Sequence, residues 1–214
     1  MDQKSFTTIV GDSLTRVAVT IAIGSAALVV AFLPSLAESL QLERTAIAGG
    51  EFWRLATCHV THWNLEHFQW DWLMFLVLAA VCELRDRGRM IGCVVGAATV
   101  VTTIVWVWFP ELATYRGLSG IDTALFTMLA IDVVRDASRD RNRLLQMAAG
   151  GLLLGFAAKT AYEAVTGQTY FVDQEAAGFV PLVWDHVAAG AVGAVRAFWP
   201  SAQSHGFNWR FSAA

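Results

Sequence analysis

Apolar residues gather into six runs separated by charged stretches: about Val17 to Leu33, His62 to Cys82, Met90 to Phe109, Leu118 to Val134, Leu144 to Val165 and Phe179 to Trp199. Each is near the length of roughly 17–25 helical residues that crosses a bilayer. The pattern predicts an all-α membrane protein built as a bundle of six transmembrane helices. The fifth run is unusual in carrying Lys159 and Glu163. No internal repeat with a period of about 20–50 residues is visible, which excludes a solenoid. No Pro- or Ser-rich linker divides the chain. The expected organisation is a short segment over 1–16, one membrane domain over 17–199 and a polar tail over 200–214.

Composition agrees with this pattern. Of 214 residues, 56% are hydrophobic and 15% charged, against about 25% charged in an average soluble domain. The net charge of -3 is small and unclustered, so nothing points to a nucleic-acid partner. Cys58, Cys82 and Cys93 form neither a CxxC pair nor a metal-ligand spacing. Cys82 and Cys93 are expected to be small buried hydrophobes. No small-residue cleavage site follows the first apolar run, so no cleavable signal peptide is expected.

Lysine and arginine set an orientation. With the runs threaded alternately, 11 of the 15 basic residues fall on one side and 4 on the other. Both termini are therefore expected on the cytoplasmic side. The second, fourth and sixth helices then start at the outer face.

Ionisable groups within spans are costly and are usually functional. Here they fall at one depth. His62, His67 and Asp71 lie early in the second run, Ser119 and Asp122 open the fourth, and Asp185 and His186 lie early in the sixth. A serine hydroxyl becomes a nucleophile when a histidine stands within hydrogen-bond reach. A serine near a helix N-terminus also has free backbone N–H groups beside it for an oxyanion. Gly117, Gly120 and Ala124, with Ala188, Ala189, Gly190 and Gly193, would let the fourth and sixth helices approach closely.

Each feature alone has an ordinary explanation. Ser119 could bond its own backbone beside packing glycines, His186 could bond a carbonyl, and the histidines of the second run could be interfacial. Asp185, next to His186, points elsewhere on the helix and reads as interfacial. The tryptophans read mostly as an interfacial belt. The run HWNLEH has one residue too many for the inverted zinc motif H-x-x-E-H. His62 and His67, five apart, splay on a helix. A metal would also leave Ser119 and His186 unexplained, so neither metal nor cofactor is expected.

Three blocks resemble the rhomboid intramembrane serine proteases. "EFWRLATCHVTHWNLEHFQWD" is similar to the family's W-R loop followed by H-x4-H-x3-N. "GLSG" is similar to G-x-S-G, and "DHVAAGAVGAV" to H-x-x-G-x-x-x-G. The resemblance implies a Ser119–His186 dyad in a water-filled cavity open to the outside. His67 would help the Ser119 backbone N–H to bind the oxyanion, with Gly117 and Gly120 framing the serine. Trp53 and Arg54 would belong to an outer loop at the membrane interface. His62, Asp122 and Thr123 are further candidates for supporting roles.

The chain departs from the family pattern at three places. Asp71 stands where most rhomboids have asparagine, Thr123 where an aromatic residue supports the histidine, and Ala189 where the first glycine of the sixth helix is expected. Asp71 in so small a chain resembles the rhombosortase branch. That branch implies membrane-anchored substrates with a C-terminal tail made of a Gly-Gly motif, a transmembrane helix and a basic cluster. It also implies a multi-pass protein of a bacterial inner membrane whose active site faces outward.

Overall fold

The computed structural model describes residues 15–167 and 182–200. Most of the expected N-terminal segment, the first residues of the sixth run (179–181) and the tail after residue 200 lie outside the described residues. The helices are α1 (Ala18–Ala31), α2 (Pro34–Leu40), α3 (Arg44–Ala48), α4 (Arg54–Thr57), α5 (Leu65–Trp108), α6 (Ser119–Arg139), α7 (Arg143–Thr166) and α8 (Val183–Phe198). Two short strands, β1 (Leu42–Glu43) and β2 (Thr114–Tyr115), pair antiparallel, with Leu42 opposite Tyr115.

The second and third apolar runs are continuous in α5, interrupted only at Asp86, whose backbone is extended (φ -161°, ψ 102°). Asp86 accepts the Arg89 N–H at 2.9 Å and so caps the second half of the helix. The chain folds back there. Asp71 and Val101, equally far from Asp86 along the chain, both reach residues 117–120.

By length and apolar composition, α5 and α7 are sufficient to cross a membrane; the pair α1 and α2, bent by 119°, is a third candidate. Charges at Asp122, Asp132, Arg135, Asp136 and Arg139 set α6 apart from these, and α8 has only 16 residues. Six crossings and cytoplasmic termini remain expectations from the sequence.

The core lies where α5, α6 and α8 meet, around Phe75, Val101, Leu118, Leu125 and Ala189. The α1 helix is fastened to α5 at two points. Glu83 accepts Val19 N–H at 3.1 Å, Thr20 N–H at 2.8 Å and the Thr20 hydroxyl at 2.8 Å. Trp72 Nε1–H donates to Gly24 O at 2.8 Å, so this tryptophan joins helices rather than an interfacial belt. Cys82 and Cys93 are buried and free.

The arginines of the expected inner side gather at the end of the bundle remote from Ser119. Arg85 pairs with Asp136, and Arg89 with Asp132 at 3.1 Å. Arg89 also donates to Arg196 O and Ala197 O, and Arg135 donates to Ala197 O at 2.6 Å. These are the last carbonyls of α8, which have no acceptor role inside the helix.

Candidate functional site

Ser119 is the first residue of α6, and Gly117 precedes it with φ 131°. Only glycine adopts that backbone readily. Space is short as well, since a Cβ on Gly117 would lie 3.2 Å from His67 Nε2 and 3.4 Å from Asp71 Oδ2. Cys58 O accepts the Gly117 N–H at 3.2 Å, and the buried His59 ring bonds Gly117 O through Nδ1 at 3.3 Å. The other ring nitrogen, Nε2, lies 3.1 Å from Thr102 Oγ1. Burial holds His59 below the ordinary histidine range, which keeps it neutral. With Nδ1 directed to Gly117, His59 does not join His62 as a possible ligand pair. The sequence reading assigned His59 no part in positioning the serine loop, and nothing in its spacing pointed to one.

The second helix brings its three polar residues to the same loop. Asn64 caps α5 by accepting the His67 N–H at 2.8 Å, which fixes the helical phase of His67 and Asp71. Four residues apart, they share a face. His67 Nε2 lies 3.1 Å from Asp71 Oδ2, and that same oxygen accepts the Leu118 backbone N–H at 3.1 Å. The His62 ring is buried, edge-on to His67 with centroids 5.3 Å apart, and its Nε2 is 3.5 Å from Asp71 Oδ2.

His186, one turn into α8, places Nε2 3.1 Å from Ser119 Oγ. The close helix contact that permits this is Gly193 against Ala124, where an added Cβ would fall 2.2 Å from Ala124 O. Gly120 does not serve the same contact: its open side faces Val101 of α5. Thr123 faces Gly190, which lies open to the Thr123 methyl.

Asp185 is buried rather than interfacial; Tyr115 Oη–H donates to its Oδ2 at 3.2 Å. Its Oδ1 is 3.8 Å from His186 Nε2, beyond hydrogen-bond range. Arg54 is buried and ties its loop together by donating to Glu51, Glu38 O and Gln41 O; its neighbour Trp53 is exposed.

Ser119 and His186 open onto a cavity of about 490 Å³ whose walls include His67, Asp71, Asp122 and Thr123. Helix α7 contributes Phe156 and the pair Lys159–Glu163, 2.8 Å apart. Their four-residue spacing in an apolar run was the visible sign of a polar face turned inward. Tyr115 and Arg116 complete the wall beside Ser119. Arg116 donates to His62 O at 3.0 Å and stacks on Trp63, 4.9 Å from the ring centre.

The Rhomboid domain family profile matches residues 49–199. The chain belongs to the rhomboid family. Rhomboids are generally intramembrane serine proteases acting on membrane-protein substrates, and the apolar helices accord with an integral membrane protein. No curated protein matches the chain. The matched span contains every cavity residue named above.

Proposed function

We propose that this rhomboid is a serine endopeptidase that cleaves membrane-anchored proteins through Ser119 and His186. The observation that carries this reading is the 3.1 Å approach of His186 Nε2 to Ser119 Oγ inside the cavity. In the first step the Ser119 hydroxyl proton passes to His186 Nε2 as Oγ bonds the substrate carbonyl carbon. The tetrahedral oxyanion lies beside the Ser119 backbone N–H, at the positive end of α6. The protonated His186 then gives its proton to the departing amine, and water releases the acyl group by the same two transfers in reverse roles.

The finer reading is a rhombosortase-type activity on C-terminal Gly-Gly sorting tails near the outer face of a bacterial inner membrane. It is supported by Asp71 in the place of the usual asparagine. Glycine suits such a site, because a helix must unwind before its carbonyl is reachable and glycine lowers that cost by about 1 kcal/mol relative to alanine. The test is co-expression of a reporter bearing a Gly-Gly tail with wild type, Ser119→Ala and His186→Ala. Cleavage by wild type alone is expected, and comparable cleavage by Ser119→Ala would overturn the reading. A second reporter with the same helix but no glycine pair separates the sorting-tail activity from general cleavage of transmembrane helices.

A further inference from the structure

We propose that the cavity beside Ser119 binds a positively charged substrate side chain, selected by the Asp122 carboxylate; this rests on the endopeptidase reading above. Asp122 lies one turn after Ser119 on α6, so both project from the same helix face. It is 7% exposed, it lines the cavity, and its Oδ1 is buried with no hydrogen-bond partner. A carboxylate oxygen held out of water without a donor is costly, and a ligand bringing N–H donors removes that cost.

The surrounding charges favour the same ligand. Besides Asp122, the walls carry Asp71, Glu111, Glu163 and Asp185, against Arg116 and Lys159. Both cations are already engaged, Arg116 with Gln41 and His62 O, and Lys159 with Glu163. Asp71 serves His67 and Leu118, and Asp185 takes the Tyr115 hydroxyl. Asp122 therefore has an open acceptor facing the incoming group. The remaining wall includes Met74, Phe126 and Phe156, an apolar surface for the methylenes of a lysine or arginine. A glutamate side chain would meet like charge there, and a short apolar one would leave the Asp122 acceptor unpaired.

The test uses two phosphonates that differ only in the side chain next to phosphorus, 4-aminobutyl or butyl. Wild type should label with the amine compound about tenfold faster or more, the discrimination expected of one charge-assisted hydrogen bond. Asp122→Asn should bring the two rates close together. Equal rates in wild type, or an unchanged ratio in Asp122→Asn, would overturn the proposal. In a second arm, both compounds are bound noncovalently to Ser119→Ala and followed by quenching of Trp63 and Trp70, which line the cavity. Tighter binding of the amine by about tenfold supports the subsite, and equal binding rejects it. If neither compound labels wild type, the endopeptidase reading fails, while this second arm still decides the subsite.

Discussion

The Asp71 carboxylate accepts the backbone N–H of Leu118, the residue before Ser119, at 3.1 Å. The same oxygen holds His67 at 3.1 Å. One side chain thus joins the second helix to the serine loop and orients a histidine of the cavity. An ionised carboxylate cannot donate a hydrogen bond to an oxyanion, so its part is to position its neighbours. Asp71→Asn keeps an oxygen acceptor but loses the stronger charge-assisted bonds. Its kcat should fall about tenfold with KM little changed, and Asp71→Ala should fall about a hundredfold. An Asp71→Asn enzyme as fast as wild type or faster would instead mean that position 71 serves as a donor.

Gly193 and Gly120 should differ in their tolerance of a methyl group. At Gly193 the new Cβ meets backbone, 2.2 Å from Ala124 O. At Gly120 it meets the end of a side chain, Val101 Cγ2, at 2.7 Å. Gly193→Ala should lower stability by about 1–3 kcal/mol and separate His186 from Ser119. Gly120→Ala should cost less, since Val101 can rotate. Thermal unfolding in detergent with phosphonate labelling reads both effects, and the reverse order would place the tight helix contact elsewhere.

His59 gives a prediction in pH. Its pKa is depressed by burial, so the folded protein leaves it neutral while the unfolded chain protonates it as pH falls through the ordinary histidine range. The contribution of His59 is full above that range and is lost as pH drops toward the depressed value. His59→Gln should flatten the acid side of the plot of Tm against pH while lowering Tm at neutral pH. An unchanged acid limb would assign that loss of stability to other groups.

Glu83→Ala should release α1 from α5. Three donors at Val19 and Thr20 lose their acceptor, and Arg87 loses its partner at 2.9 Å. The expected cost is about 1–3 kcal/mol. Limited proteolysis between α1 and α2 should accelerate, and an unchanged cutting rate there would show that Trp72 alone retains the helix.

The positions of the helices were legible because apolar runs and charged breaks report length directly. Ser119 and His186 were legible as a pair because both sit early in helices expected to start on the same face. Asp86 was not, since an extended backbone at one residue leaves no mark on hydropathy. The partner of Gly120 was not either: a glycine shows that something comes close without saying what. Asp185 was misread as interfacial because adjacency to His186 fixes its direction around the helix but not the Tyr115 hydroxyl waiting there. His59 and Tyr115 act through contacts distant in sequence, with Gly117 and Asp185 respectively, which a single chain does not reveal.

The grip of Arg89 and Arg135 on the last carbonyls of α8 makes that helix a ruler. Its zero is set at the guanidinium end, and the imidazole of His186 stands at a fixed count of residues from it. One residue inserted between the two would advance His186 by about 1.5 Å and swing it by about 100° around the axis. Alignment of the nucleophile and its base is therefore gauged from the opposite end of the molecule, and a change in helix length between those points would misalign them without altering either residue.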